Sequence, residues 1–137
     1  MRFRLGLHIL ALATLLPSCY GHSVQRSPDP ARAMVVNGGA TRYVFALTPI
    51  RHLKPRTSPA TPIVTVVPPG LSEAGIINVK LENCGWGFGG SRSTESEFYP
   101  ELSRLAAELG GQNFAIANKS VFQGGPITAM TVSVLAP

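Results

Sequence analysis

The stretch FYPELSRLAAELGG, residues 98–111, decides the fold that the sequence predicts. Its large apolar residues recur at three- and four-residue spacing, which places one apolar stripe along a helix. These residues are Phe98, Leu102, Leu105 and Leu109. Proline fits only the first turn of a helix, so Pro100 predicts a start near Phe98. Gly110-Gly111 predicts a left-handed cap at its end. The sequence therefore predicts one helix that packs on a single apolar surface.

Short strands flank this helix on both sides. Before it, residues 63–67 are mostly apolar and β-branched, and residues 77–82 alternate between apolar and polar side chains. After it, residues 114–117 and 130–134 predict two further strands. The predicted fold is α+β: a small β-β-α-β-β sheet with one helix packed on one face, preceded by a Pro-rich basic tail.

The N-terminal residues 1–18 predict an export signal. Arg2 and Arg4 precede an apolar run over residues 5–16, after which the chain breaks into small residues. A basic region, a short apolar region and a small-residue break are the parts of a signal peptide. The run would rise about 18 Å as a helix, whereas a bilayer core is about 30 Å thick. We therefore expect the run to direct export and not to span the membrane.

Two cleavage sites lead to two different proteins. The sequence LPSC, residues 16–19, resembles the lipobox of bacterial lipoproteins, in which the cysteine is lipidated and becomes the first residue. Lipidation of Cys19 predicts attachment to the membrane, because two or more acyl chains anchor a protein stably. Ordinary cleavage after Gly21 is the alternative, and it predicts a soluble exported protein.

Charge separates a basic linker, residues 19–61, from a domain over residues 62–137. From Tyr20 to Ala60 there are six basic residues and one acidic residue, a net charge of +5. From Thr61 to Pro137 there are four basic and six acidic residues, a net charge of −2. The linker suits an anionic lipid surface or an acidic partner, and a solvated linker without a partner is the alternative. Nucleic-acid binding is not predicted, because the domain itself lacks a basic face.

A hairpin signal lies inside the linker. Asn37-Gly38 separates two apolar runs and predicts a hairpin over residues 34–47. An isolated hairpin is marginally stable in water. We therefore expect it either to dock on the domain or to pair with a partner.

A glycine-rich loop, residues 84–90, carries the candidate contact residues. Trp86 and Phe88, with Arg92 at their edge, predict either a contact patch for a protein or a cap over the core. Cys84 has no partner in the chain if Cys19 is lipidated or removed. It is then a buried structural thiol or a free thiol that can join two copies, which leaves a homo-oligomer open. A disulfide between the two cysteines requires cleavage that keeps Cys19.

A resemblance rests on residues 77–84, residues 102–111 and Ala115-Ile116. These segments, with the helix-closing turn AAELGGQN at residues 106–113, resemble a group of small exported bacterial lipoprotein domains. The group includes the outer-membrane lipoprotein sensor of the Rcs envelope-stress phosphorelay and related proteins of the heavy-metal-binding-domain type. The resemblance implies an outer-membrane lipoprotein that faces the periplasm, with a structural cysteine at Cys84 and an envelope protein partner. The sensor's further cysteines have no counterpart after Cys84.

Catalysis, metal binding and cofactors are not predicted. All three histidines, His8, His22 and His52, precede the domain, which therefore has no histidine to act as a general base. Zinc requires three or four ligands, and one thiol is not enough. The run GWGFGG, residues 85–90, matches G-x-G-x-x-G, but the chain is too short for a dinucleotide-binding fold. The sequence favours an envelope lipoprotein with a protein-binding, stress-sensing or assembly domain. The alternative is a soluble exported binder of a small ligand or a cell-wall component.

Overall fold

The computed structural model describes residues 33–36, 41–83 and 91–137. Its strands, in chain order, are β1 (Ala33–Val36), β2 (Thr41–Pro49), β3 (Thr61–Pro62), β4 (Ser72–Asn83), β5 (Asn113–Val121) and β6 (Ile127–Ala136). A 3₁₀ turn, Glu95–Phe98, leads directly into a helix, α1 (Tyr99–Glu108). The described part of the chain is therefore α+β, as the sequence predicts.

All six described strands form one sheet, in the order β1-β2-β4-β6-β5-β3. Neighbouring strands are antiparallel except for β3 and β5, which run parallel. The predicted β-β-α-β-β order is not confirmed, because four described strands precede the helix and two follow it. The two strands at the centre, β4 and β6, are the long ones that join the two halves of the sheet.

The predicted hairpin belongs to this sheet. β1 pairs with β2 from Ala33 opposite Val44 to Val36 opposite Thr41, and β2 pairs in turn with β4. Tyr43 is fully buried, and alternate residues of β2 point into the core. The hairpin docks on the domain because this apolar face completes the core. Its predicted turn, residues 37–40, lies outside the described residues.

The helix covers the apolar face of the sheet as its stripe predicts. The buried residues of the helical segment are Phe98, Leu102, Leu105, Ala106 and Ala107. The large strand residues in the same core are Tyr43, Phe45, Ile77, Val79, Phe114, Ile127, Met130, Val132 and Val134. The Tyr43 and Phe98 rings meet edge to face at 4.9 Å. Each large side chain contributes about 1.5–3 kcal/mol when it is fully buried, so this layer dominates the stability.

The helix ends at the predicted glycines. Gly110 has φ of +82°, the left-handed conformation that glycine adopts without steric cost. The Gly110 N–H donates to the carbonyl of Ala107 at 3.0 Å, and the Gly111 N–H donates to that of Ala106 at 2.8 Å. These two bonds close the last turn of the helix at the glycines.

The Pro-rich stretch before β3 packs along the helix. The Arg56 N–H donates to the Ala107 carbonyl at 2.8 Å, and the Ala60 N–H donates to the Ser103 carbonyl at 3.0 Å. Ala60 is itself buried in the core. Proline favours the extended backbone that such a segment needs. Arg56 and Ala60 are therefore tied to the helix by their backbones, while the side chains of residues 54–59 are exposed.

Arg51 joins the ends of the two central strands. Its guanidinium donates to the carbonyls of Ser72 and Glu73, where β4 begins, at 3.2 and 3.3 Å. It also donates to the carbonyls of Ala136 and Pro137, where β6 ends, at 3.0 and 3.1 Å. A planar fork of five N–H groups suits this role, because one side chain reaches four acceptors.

Residues 63–67 do not form the predicted strand. β3 contains only Thr61 and Pro62, and the N–H of Ile63 makes one more bond, to the Phe114 carbonyl at 2.8 Å. Beyond this point the run leaves the sheet, and Val64 and Val66 are 76% and 87% exposed. β-branched composition favours an extended backbone but does not supply a partner strand.

Candidate functional site

The sequence-predicted site residues divide into two sets. Cys19, Cys84, Trp86 and Phe88 lie outside the described residues, so the predicted contact patch stays a prediction there. Arg92 is described, and it lies half-buried close to the core.

The backbone of Arg92 is held by a buried tyrosine. The Arg92 N–H donates to the Tyr43 hydroxyl at 3.1 Å, and that hydroxyl donates to the Ile127 carbonyl at 2.9 Å. The Arg92 carbonyl in turn accepts from the Ile127 N–H at 2.9 Å. Burial raises the pKa of Tyr43 above its usual 10.0, with a smaller opposing effect from its bond to the Arg92 backbone. The segment that follows the glycine-rich loop is thus fixed to the core at Arg92.

The 3₁₀ turn after Arg92 is closed by a carboxylate. The N–H groups of Ser93 and Thr94 both donate to Glu97 Oε2, at 2.9 and 3.0 Å. The Thr94 N–H, with a further contribution from Ser93, lowers the pKa of Glu97 below its usual 4.5. The turn presents Glu95 and Tyr99 on the side of the helix that faces β5.

A cleft of about 510 Å³ opens beside β5, where residues 63–67 separate from the sheet. The separated run contributes residues 62–65 and Val67 to its lining, and β5 contributes residues 115–117. The remaining lining residues are Glu73, Glu95, Tyr99, Phe114, Ser133 and Leu135. The Tyr99 ring meets the buried Phe114 ring edge to face at 5.6 Å, so Tyr99 packs against the core where it lines the cleft. Its volume falls within the range of about 300–1,000 Å³ typical of ligand sites.

The outer edge of β5 is open beside this cleft. β3 pairs with β5 only at Asn113 and Phe114, and the Ile63 N–H bond to Phe114 is the last one on that side. From residue 115 to residue 121 no strand of the described residues pairs with the outer edge of β5. An open edge leaves backbone N–H and C=O groups available to another chain.

Exposed apolar side chains lie in two groups beside this open edge. Val64, Val66 and Val67 are exposed on the separated run, and Val121 and Phe122 are exposed at the far end of β5. Neighbouring exposed apolar residues are a feature of interaction sites, whereas single ones are common on any surface. The sequence signal for this region is the apolar run at residues 63–67, which predicts a strand.

The charges that line the cleft are acidic. Glu73 accepts a hydrogen bond from the Ser133 hydroxyl at 3.1 Å, and Glu95 pairs with Lys119 at 3.1 Å. These two carboxylates are the charged residues in the described lining of the cleft. The cleft therefore offers walls of mixed apolar and polar character, an open strand edge and negative charge.

The described residues contain no group of three or more His, Cys, Asp or Glu side chains placed to hold a metal ion. Within the same part of the chain no helix is long and apolar enough to cross a membrane. Comparison with known proteins found no family model, curated protein or solved structure that matches this chain.

Proposed function

We propose that this protein is a bacterial envelope lipoprotein whose α+β domain binds protein partners. Lipidation of Cys19 attaches it to the outer membrane, and the domain faces the periplasm in a stress-sensing or assembly role. It acts as a binding protein and not as an enzyme. The observation that carries the binding role is the cleft beside the open edge of β5, with its exposed valines. The LPSC sequence at residues 16–19 supports the anchoring role.

The position of β1 supports a short tether. Residues 20–32 separate Cys19 from the first described strand, and β1 already belongs to the sheet. Thirteen extended residues reach at most about 45 Å, at 3.3–3.6 Å per residue. A lipid on Cys19 would therefore hold the domain close to the membrane surface, where membrane-proximal partners are available to the cleft.

The volume of the cleft also suits a second function. A site of about 510 Å³ can hold a small ligand or a fragment of the cell wall. In this alternative the signal is cleaved after Gly21 and the domain is soluble.

One experiment separates the two functions. The full chain is produced in a bacterial host with a photoreactive amino acid in place of Thr65, a cleft residue, or of Thr48, an exposed residue of β2. After illumination, we measure the intact mass and the cross-links of the protein from membrane and soluble fractions. The proposal predicts a membrane-bound chain that begins at Cys19, is heavier by its acyl groups, and forms protein adducts from position 65 but not from position 48.

Matched cysteine variants provide the control. Cys19→Ser should abolish the added mass and release the protein, whereas Cys84→Ser should retain both the mass and the membrane location. A soluble species that begins at His22, without added mass or protein adducts, would contradict the proposal and support the small-ligand alternative.

A further inference from the structure

We propose that the cleft binds an extended peptide segment of a partner protein, which adds a strand to the outer edge of β5. The segment carries apolar side chains and at least one lysine or arginine. This inference rests on the proposed protein-binding function and specifies both the binding mode and the chemistry of the partner.

The backbone of β5 provides the first argument. The Phe114 carbonyl points outward, since it accepts the last hydrogen bond from the Ile63 N–H. Backbone groups alternate in direction along a strand, so the groups of Ile116 also point outward. No described strand meets the outer edge over residues 115–121. An incoming extended chain can satisfy these groups, and this is the recognition mode in which a peptide adds to a sheet edge.

The shape of the cleft provides the second argument. Residues 62–65 and Val67 line the same cleft as residues 115–117, so the open edge forms part of a slot between the two segments. Val64, which lines the slot, is 76% exposed and has apolar area still to bury. A peptide strand in the slot would cover the exposed valines with every second side chain, because side chains alternate between the two faces of a strand.

Charge specifies the peptide further. Glu73 and Glu95 are the charged groups of the described lining, so an acidic peptide would be repelled and a basic side chain attracted. Glu95 already pairs with Lys119. Among the described residues the Glu73 carboxylate accepts a hydrogen bond from the Ser133 hydroxyl and forms no ion pair, so Glu73 is the stronger site for an incoming cation. We therefore place the lysine or arginine of the peptide near Glu73.

A separate segment fits better than a second copy of the chain. To pair edge to edge, a second copy would have to present β5 or β1, the strand at the other edge of the sheet. Its β1, Ala33–Val36, contains no basic residue to meet Glu73. Its β5 would bring its own residues 63–67 to an edge where the first copy's residues 63–67 already lie. An isolated extended segment brings no such obstruction.

The test uses the full chain and a phage-displayed library of random heptapeptides. The library is selected on the wild-type protein, and the enriched peptides are synthesised and titrated against variants. Ala117→Arg places a long side chain in the slot, and Ala46→Arg adds the same side chain at an exposed position of β2. We expect basic, alternating apolar peptides that bind the wild type and Ala46→Arg equally, and Ala117→Arg at least tenfold more weakly. Glu73→Gln should weaken binding severalfold.

N-methylation of the peptide tests the backbone bonds directly. Methyl groups on alternate amides should reduce the affinity at least tenfold in one register and leave it unchanged in the other, because only every second amide faces β5. If Ala117→Arg alters the circular dichroism of the domain, Val64→Asp serves instead, since Val64 is exposed and supports no core packing.

Each other outcome overturns the proposal. Strand addition would be contradicted by any of three results. The peptides bind Ala117→Arg as tightly as the wild type, the effect of N-methylation does not alternate along the peptide, or the selection enriches no peptide. A wild-type dimer that Ala117→Arg dissociates would identify a second copy in the slot. Peptide binding that appears only after deletion of residues 22–32 would identify the chain's own segment. If position 65 still cross-links a partner protein in these cases, the proposed protein-binding function is retained and only the addition of a peptide strand to β5 is rejected.

Discussion

Residues 63–67 and residues 76–79 have similar composition and opposite environments. Both runs are rich in valine and isoleucine, and both predict strands. In β4, Ile77 and Val79 are 0% and 2% exposed, because β2 and β6 pair on its two sides and the helix covers its face. In the other run Val66 is 87% exposed, because only one backbone bond holds the run to the sheet. An extended backbone follows from composition, whereas burial depends on neighbours.

The difference also separates stability from binding. Burial of the apolar side chains of residues 76–79 stabilises the fold, because it removes their surface from water. The exposed valines of residues 63–67 make this contribution only when a partner covers them. A partner that buries the exposed valines gains area without disturbing the core. For this reason we place the binding site at residues 63–67 and β5.

Truncation of one side chain in each run should separate the two environments most clearly. Ile77→Ala should reduce the free energy of unfolding by about 2–5 kcal/mol, because it leaves a cavity in the core. Val66→Ala should change it by less than about 0.5 kcal/mol, since the side chain is exposed. Urea denaturation followed by circular dichroism measures both. A cost above about 1 kcal/mol for Val66→Ala would mean that the run packs on the core.

Substitution of Gly110 should test the contact between the end of the helix and residues 53 and 54. Gly110→Ala should cost about 2 kcal/mol or more, because an L-residue strains the left-handed conformation and its Cβ would clash with Leu53 and the Lys54 carbonyl. Gly124→Ala is the matched control: its φ is +73°, but no atom lies within 4 Å of the added Cβ, so about 1 kcal/mol is expected. Thermal unfolding gives both values, and hydrogen exchange should accelerate at residues 54–60 only in the first variant. Equal losses would show that residues 53 and 54 do not pack on the helix end.

Removal of the Tyr43 hydroxyl should have the smallest effect of the three. Tyr43→Phe should cost about 1–2 kcal/mol at pH 7, because it leaves buried groups of Arg92 and Ile127 without their partner. Burial raises the pKa of Tyr43, so its stabilisation is present below pH 10 and is lost as the pH rises through the folded-state pKa. The wild type should therefore lose stability above pH 10 more steeply than the variant.

Tyr99→Phe provides the control for this pH dependence. The Tyr99 hydroxyl makes no hydrogen bond within the described residues, and its ring contact with Phe114 survives the change. Chemical denaturation between pH 7 and pH 11 should leave the alkaline loss intact in this variant. If Tyr43→Phe loses free energy of unfolding above pH 10 as steeply as the wild type, burial of this hydroxyl does not cause the alkaline loss of stability.

Local patterns predicted the elements that depend on near neighbours. The spacing of Leu102, Leu105 and Leu109 predicted the helix, and Gly110-Gly111 predicted its cap, because both depend on residues within one turn. The Asn37-Gly38 signal predicted the pairing of residues that became β1 and β2. The cleft was not predicted, because its walls come from segments about 50 residues apart in the sequence, residues 62–67 and residues 115–117.

By itself, the sequence determined the α+β class, the helix with its cap and the pairing of the segments that became β1 and β2. Each of these depends on periodicity or on a short motif, which a linear chain displays directly. Only the tertiary structure decided that residues 54–60 pack on the helix, that residues 63–67 leave the sheet, and that β5 keeps an open edge. The physical reason is that composition sets which backbone conformation a segment favours, whereas its pairing and burial depend on which distant segments lie beside it in the fold.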